Sequence, residues 1–149
     1  MASLMRFVNR TARCFTLYRN NQLENEGING YQHLYIIKIC KQPGISQDAL
    51  VREIYVNKSS VARQLSLLEQ NGWIRREPWP EDRRQLLVYP TEKAFRLYPK
   101  VLQVRESWNQ RLLEDFAEDE KNLLCDMMER VMQKAAYLLE HPQEGDAQR

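Results

Sequence analysis

One segment in the middle of the chain constrains the fold more than any other: ISQDALVREIYVNKSSVARQLSLLEQNGW, which spans residues 45–73. Ser46 is a favourable N-cap for a short helix, and Asn57 can cap a second helix that ends at Asn71-Gly72. The apolar positions of the two helices share one inner side: Leu50, Ile54, Val61, Leu65 and Leu68. Two short helices joined by so brief a turn predict a helix-turn-helix.

A hairpin follows directly, in the run WIRREPWPEDRRQLLVYP of residues 73–90. Residues 73–77 alternate weakly between apolar and polar, and residues 85–89 are rich in β-formers, so both stretches are strand-like. Between them lies a proline-flanked tip with two adjacent arginines, Arg83 and Arg84. A helix-turn-helix followed by such a hairpin, called the wing, predicts a winged helix-turn-helix.

The second helix of a helix-turn-helix enters the DNA major groove, and an arginine at a wing tip can enter the neighbouring minor groove. Arginine bonds guanine bidentately, glutamine bonds adenine, and serine contacts base edges or phosphate, so the outward polar residues suit this role. The alternative is a plain polar face in a helical bundle. The predicted contacts with double-stranded DNA are Ser46, Gln47, Asn57, Lys58, Ser59, Ser60, Arg63, Gln64, Arg76, Asp82, Arg83 and Arg84.

Composition and motifs give no support to an enzyme. The net charge of +2 hides a basic excess in residues 1–100 and an acidic excess in residues 101–149, which suggests a polyanionic partner, although scattered solvated charge explains it equally well. Cysteines and histidines lack zinc-ligand spacing, so we expect neither a metal nor another cofactor. Without a signal-peptide core or a long apolar run, the chain is expected to be cytoplasmic, with no membrane partner.

The ordered motifs of residues 43–94 resemble those of the MarR family of bacterial transcription regulators. They are a helix, a recognition helix ending in L-E-x-x-G-x-I-x-R, a wing with D-x-R, and T-E-K followed here by alanine. The resemblance is looser but collinear over almost all the rest of the chain. The matching residues are Leu68, Glu69, Gly72, Ile74 and Arg76 at the junction of helix and wing, and Asp82 and Arg84 in the wing.

The resemblance implies roles for several residues. An aspartate at the position of Asp82 pairs with the arginine at Arg76, and the arginine at Arg84 reaches the minor groove. Arg83 stands at a variable family position, so we expect it to contact phosphate. Thr91 is expected to cap a long helix, and the first and the last two helices to form an obligate homodimer.

Two residues depart from the family pattern. Ala94 replaces a usual glycine after T-E-K, which is harmless if the backbone there is helical. Ala117 stands where a serine or threonine cap often precedes the last helix. The acidic first turn, residues 118–120, partly offsets this loss.

The sequence therefore predicts a mainly α fold with a small β-wing, a single MarR-type domain over residues 1–149. The winged helix-turn-helix DNA-binding lobe is expected over residues 30–90, the dimerisation helices over 1–24 and 91–140, and a disordered tail over 141–149. The last helix supports a homodimer independently, since its apolar face exceeds what one short lobe can cover. That face carries Leu123, Leu124, Met127, Met128, Val131, Met132, Ala135, Leu138 and Leu139.

Family members usually repress transcription, and many release DNA when a small, often aromatic or anionic, ligand binds between the dimer helices and the wing domain. The resemblance therefore implies a repressor with a small-molecule effector. The residues expected to line its pocket are Arg13, Tyr31, His33, Tyr35 and Trp108, although each is also explained as a core or interface residue.

Two alternatives stay open at this point. Cys14 lies at about the position of the reactive cysteine in the hydroperoxide-sensing branch of the family, where Tyr31 and Tyr35 could supply hydroxyls to a thiolate. Against this redox role, Cys14 falls on the apolar stripe of the first helix, and buried cysteines are usually inert. The other alternative is a winged-helix module that binds a protein instead of DNA.

Overall fold

The computed structural model describes residues 3–142. In that range the elements are α1 (Leu4–Gln22), α2 (Gln32–Lys41), β1 (Ile45–Ser46), α3 (Gln47–Ile54), α4 (Lys58–Gln70), β2 (Ile74–Pro78), β3 (Leu86–Pro90), α5 (Glu92–Leu112) and α6 (Glu118–Glu140). One structural unit ends at Trp108 and a second begins at Asn109. Of the predicted tail over 141–149, residues 143–149 lie outside the described range.

Helices α3 and α4 form the predicted helix-turn-helix, and both begin at their predicted caps. The Ser46 Oγ accepts a hydrogen bond from the Ala49 backbone N–H at 3.1 Å, and the Asn57 Oδ1 accepts one from the Ser60 N–H at 2.8 Å. Each cap satisfies a backbone donor that the first helical turn leaves unpaired. Between the helices Tyr55 adopts the left-handed conformation, with a φ of 57°, and turns the chain.

The inner side of α4 packs into the core of the first unit. Val61, Leu65 and Leu68 are fully buried, as predicted, and so is Leu50 of α3. Burying a side chain of this size stabilises the fold by about 1.5–3 kcal/mol. The other large aliphatic side chains that are fully buried come from α2, β1 and β3: Ile36, Ile39, Ile45 and Val88. The opposite side of α4 is therefore left to face solvent.

The wing strands belong to a three-stranded antiparallel sheet in the order β1-β3-β2. Both wing strands begin one residue later than the sequence predicts. The sequence does not predict β1, because two residues are too few to show an alternation. β1 pairs Ile45 with Val88, and Gly44 just before it has a φ of 84°. A side chain at this glycine would also meet Tyr89, 3.2 Å from its Cβ position.

The two departures from the family pattern are both accommodated. Ala94 lies in α5 and is fully buried, and its backbone N–H donates to the Thr91 Oγ1 at 3.4 Å, so Thr91 caps this helix as predicted. The missing glycine is harmless because the backbone there is helical. At the start of α6, Glu120 Oε2 accepts a hydrogen bond from the Ala117 N–H at 2.9 Å. The acidic first turn thus replaces part of the missing cap.

Helix α6, in the second unit, exposes its apolar side chains along its whole length. No residue of α6 is buried, and Leu123, Met132 and Leu139 are 61%, 64% and 69% exposed. An apolar surface of this extent is unusual on a protein that stays monomeric in water. Among the described helices, none combines the length and the apolar character needed to cross a membrane.

Candidate DNA-binding surface

Arg63 is the principal candidate on the outward side of α4. It is exposed and lies two residues from both Val61 and Leu65, so it points away from the core. Its side chain makes no hydrogen bond or ion pair with any residue between positions 3 and 142. A guanidinium in this state keeps its five donors for a base edge or a phosphate. Lys58, at the start of α4, is 75% exposed and lies 3.5 Å from Asp48.

Several other predicted contacts have side chains that are hydrogen-bonded or half-buried within the protein. Asn57 Oδ1 accepts a bond from the Ser59 hydroxyl at 2.8 Å in addition to its bond from Ser60. Ser46 caps α3, and the neighbouring Gln47 is half-buried, with an Oε1 that has no partner in the described chain. These residues shape the N-terminal ends of α3 and α4, and helix N-termini attract phosphate.

Gln64 lies on the flank of α4, not on its outward side. It is half-buried, and its Oε1 accepts a hydrogen bond from Nε2 of the buried Gln32 at 3.4 Å. Gln32 Oε1 in turn accepts the backbone N–H of Asn29 at 3.1 Å. An adenine-reading role for Gln64 would therefore require it to leave Gln32.

The wing tip is a closed turn that holds Arg84 outward. The Trp79 N–H donates to the Gln85 carbonyl, and the Gln85 N–H donates to the Asp82 carbonyl, both at 2.9 Å. Asp82 Oδ1 accepts the Arg84 backbone N–H at 3.2 Å and its Nε at 3.3 Å. The Arg84 side chain is 93% exposed, and Arg83 is exposed as well. Asp82 thus orients Arg84 through Nε, and no described residue bonds its outer nitrogens.

The family resemblance implied that Asp82 pairs with Arg76. This prediction is wrong, because the two side chains form no pair in the structure. Arg76 Nε and Nη2 instead donate to Glu69 Oε2 at 3.1 and 2.8 Å, and Nη2 also reaches Ser66 Oγ at 3.2 Å. The Arg76 backbone N–H donates to Glu69 Oε1 at 3.0 Å. The sheet register explains the difference, because Arg76 lies opposite Val88, away from the tip. With its side chain only 17% exposed, Arg76 is a poor candidate for direct DNA contact.

The Arg76 side chain also sets the ionisation of Glu69. Its hydrogen bonds to the carboxylate lower the pKa of Glu69 from the usual 4.5, against a smaller opposing effect of burial. A carboxylate with a lowered folded-state pKa contributes stability above its unfolded pKa and loses it as the pH falls through the folded value. The pair is therefore intact at neutral pH and breaks only in acid.

The T-E-K stretch ties the start of α5 to the end of α4. The Thr91 hydroxyl lies 2.7 Å from the Gly72 carbonyl oxygen and 3.0 Å from that of Trp73. Lys93 Nζ donates to the Asn71 carbonyl at 2.8 Å and lies 4.0 Å from the centroid of the Trp73 ring. These contacts hold the turn that follows α4 against the start of α5. Sequence reasoning identified Thr91 only as the cap of α5 and missed Lys93.

A cavity of about 430 Å³ beside α1 and α2 brings together Arg13, Tyr31 and His33, three of the five predicted pocket residues. A second cavity of about 350 Å³ shares Tyr31 and includes Tyr35. Trp108 packs instead against two aromatic rings of α1. The structure therefore assembles part of the predicted set at each of two cavities.

Sequence reasoning missed Arg19, the most unusual residue of the larger cavity. Arg19 is only 3% exposed, yet it forms no ion pair with a carboxylate among the residues described. Its Nη1 donates to His33 Nε2 at 3.3 Å and its Nη2 to Asn20 Oδ1 at 3.1 Å. Burial lowers the pKa of Arg19, and burial together with the Arg19 charge lowers the pKa of His33 to about 4. The cavity thus holds a neutral imidazole beside a buried cation without a counter-anion.

The exposure of one cysteine, Cys14, differs from the expectation. Cys14 is exposed, whereas its place on the apolar stripe of α1 predicted a buried thiol. The single chain leaves that stripe uncovered, with Leu4 and Phe7 46% and 55% exposed. Cys125 is also exposed, and burial raises the pKa of Cys40 to about 11, which keeps it an unreactive thiol. Residues 3–142 contain no cluster of three or more potential metal ligands.

Comparison with known proteins decides the family. Residues 28–86 match the model of the MarR family. The chain is 30% identical in sequence to MarR as seen in its crystal structure. The two structures superpose with a TM-score of 0.82, and the match covers 93% of this chain and 94% of that one. This chain belongs to the MarR family.

Two further relatives match over nearly the whole length. YybA of Bacillus subtilis (strain 168), an uncharacterized HTH-type transcriptional regulator, is 26% identical over 146 residues, which cover 98% of this chain and 97% of YybA. A putative MarR family transcriptional regulator from Listeria monocytogenes, solved in complex with 26mer DNA, is 27% identical, with a TM-score of 0.89 and coverage of 100% and 99%. The predicted winged-helix fold is thereby confirmed, and this MarR family member is a transcriptional regulator, not an enzyme.

Proposed function

We propose that this regulator binds a specific inverted-repeat operator in double-stranded DNA as a homodimer, and that it represses transcription until a small effector releases it. The observation that carries the proposal is an outward, unpaired Arg63 on the same lobe as the exposed arginine pair of the wing tip. Arg63 suits bidentate contact with guanine in the major groove, and Arg84 suits the narrow minor groove. The Listeria monocytogenes relative solved with 26mer DNA supports DNA as the partner.

The exposed apolar face of α6 supports the homodimer. A two-fold axis buries the same face on both chains without any other partner. Two recognition helices related by this axis would lie about 34 Å apart and read half-sites one helical turn apart. The proposed inverted repeat therefore requires the proposed dimer.

Selection of genomic DNA fragments by the purified protein tests the proposal. We expect enrichment of an inverted repeat whose half-site centres lie about 10 base pairs apart, bound with an affinity that falls steeply with salt. Recovery of unrelated fragments with a shallow salt dependence would instead favour a protein partner for the winged helix.

Replacement of each wing arginine by lysine is expected to have a different effect on operator binding. Arg84→Lys keeps the charge but should weaken operator binding by about tenfold, because a strongly hydrated ammonium is harder to place in a narrow minor groove than a guanidinium. Arg83→Lys is the matched control and should be nearly silent, since phosphate accepts either cation. Fluorescence titrations with the selected operator give both values.

Asp82→Ala extends the same comparison. It makes the protein more positive, yet it should weaken binding because it frees Arg84 from the carboxylate that orients it. Glu81→Ala removes the same charge from the neighbouring exposed position and serves as the control. Tighter binding by Asp82→Ala, together with unchanged binding by Arg84→Lys, would mean that the wing contributes only its positive charge.

The buried Arg19 supports an anionic aromatic effector. The centre of its guanidinium lies 5.6 Å from the Phe15 ring centroid and 5.7 Å from that of Tyr31. A carboxylate entering this cavity would neutralise the unpaired cation, and an aromatic body would cover the rings beside it. A small aromatic carboxylate matches both features, and its binding next to α2 is the signal that we propose releases DNA.

Benzoate is therefore expected to raise the melting temperature and weaken operator binding, whereas the uncharged benzamide of the same shape should do neither. Arg19→Met keeps a long side chain in the cavity but removes the cation, so it should abolish the benzoate response while operator binding without benzoate persists. Thermal unfolding and operator titrations measure both effects. Arg10→Met, at an exposed position of α1 that does not line the cavity, is the control and should keep the response. Equal responses to benzoate and benzamide would contradict a charge-selective site.

One observation favours a second signal. The Cys14 thiol is exposed on α1, which supports an oxidant as the effector in place of a ligand. Operator titration after peroxide treatment, in the native protein and in Cys14→Ser, separates the two signals.

A further inference from the structure

We propose that Glu69, Arg76 and Ser66 form a clamp that fixes the angle of the wing on α4, and thereby the distance between the major-groove and minor-groove contacts of each half-site. These three are positioning residues, because they hold the elements that carry Arg63 and Arg84. The inference rests on the proposed DNA-binding function.

The clamp joins the end of α4 to the middle of β2 across the turn at residues 71–73. Glu69 uses both carboxylate oxygens, one for the Arg76 backbone and one for its guanidinium. Ser66 donates its hydroxyl hydrogen to the Ala62 carbonyl at 3.0 Å, so its oxygen is turned to accept Arg76 Nη2. The bonds donated by Arg76 fix the position of β2 relative to the helix axis of α4.

The clamp is also the sole source of side-chain hydrogen bonds between α4 and β2 in the described chain. The bonds of Thr91 and Lys93 lie at the turn itself and attach α5, not the outer part of the wing. The Arg76 side chain is 17% exposed and that of Glu69 is 38% exposed, so the pair is partly shielded from the solvent that weakens surface ion pairs. Backbone pairing with β3 keeps the hairpin together and, through β1, holds the sheet beside α3, but only the clamp bonds side chains of α4 directly to β2 in the described chain.

The position of the clamp near the root of the wing gives it leverage over the tip. The stretch from Arg76 to the turn at Trp79 spans roughly 10 Å, at about 3.3 Å per residue. A tilt of about 10° at the root would therefore move the tip by about 2 Å, more than the tolerance of a hydrogen bond. Loss of the clamp should therefore weaken the minor-groove contact, because the wing tip no longer has one fixed position, and leave the major-groove contact in place.

The first experiment uses the protein without DNA, so its outcome does not depend on the proposed function. Spin labels at Gln70→Cys and Glu81→Cys report the distance between the end of α4 and the wing tip, in a background of Cys14→Ser and Cys125→Ser diluted with unlabelled protein. We expect one narrow distance distribution in this background and a broader one when Glu69→Gln is added. Glu77→Gln is the matched control, because it removes the same charge from an exposed pair with Arg75 on the same strand. An unchanged distribution with Glu69→Gln overturns the clamp.

The second experiment measures operator binding and hydroxyl-radical protection. Glu69→Gln should weaken binding about tenfold and abolish minor-groove protection under the wing, with major-groove contacts kept. Simple electrostatics predicts the opposite, since the variant loses a negative charge near DNA. Equal or tighter binding with full minor-groove protection would overturn the proposal, and Glu77→Gln should show full protection.

Two more variants keep the test decisive if Glu69→Gln unfolds. Arg76→Lys retains the charge but loses the planar fork, so it should reproduce the broadened distances and the lost protection in milder form. The exchange Glu69→Arg with Arg76→Glu restores an opposite-charge pair and should recover part of the minor-groove protection. Failure of the native protein to bind any operator would refute the proposed function, while the spin-label distances still judge the clamp.

Discussion

Val131→Glu is expected to convert the protein from a dimer into a monomer. Val131 lies near the middle of the exposed apolar face of α6, flanked at helical spacing by Leu124, Met127 and Leu138. In a two-fold dimer the substitution would place two carboxylates in an apolar contact, where the loss of water and mutual repulsion both oppose association. Sedimentation should show one species of 17.8 kDa for the variant and about double that mass for the native protein at micromolar concentration.

The same variant should lose operator affinity by at least about 10²-fold, because a monomer holds one half-site without the effective concentration that a linked second half-site provides. Gln133→Glu adds the same charge on the opposite face of α6 and should leave both mass and affinity unchanged. A native protein that sediments at 17.8 kDa under all conditions would refute the dimer, and with it the inverted repeat.

Arg63→Ala is expected to give the largest effect of any single change on the recognition helix. Loss of a bidentate guanine contact costs about 1–3 kcal/mol per half-site, and a dimer loses two such contacts. The variant should also accept other bases at one position of each half-site. Titration of the native operator measures the cost, and a binding selection with the variant measures the relaxed preference.

Arg96→Ala provides the charge-matched control, because it removes an exposed arginine of α5 that pairs with Glu92. We expect a small loss of affinity from this control, with no change in sequence preference. If Arg63→Ala selects the same operator as the native protein, Arg63 contacts phosphate only and base reading falls to other residues of α4.

Sequence alone determined the helix-turn-helix, because its signals act over a few residues. A cap needs only a side-chain oxygen and a backbone N–H three positions later, as at Ser46 and Asn57. The inner side of α4 likewise follows from the spacing of Val61, Leu65 and Leu68 on one face. The wing strands were predictable to within one residue for the same reason.

The tertiary structure alone decided which polar side chains meet. Sequence patterns could not show that Arg76 pairs with Glu69 while Asp82 holds Arg84, because these carboxylates are equivalent in charge and only the packing of β2 against the end of α4 places one beside Arg76. Nothing local distinguishes the buried Arg19 from the exposed arginines of α1, since its burial depends on α2 packing over it. Hydrogen bonds and ion pairs between distant residues require a fixed distance and direction, and these exist only after the core has set the positions of the helices and the sheet.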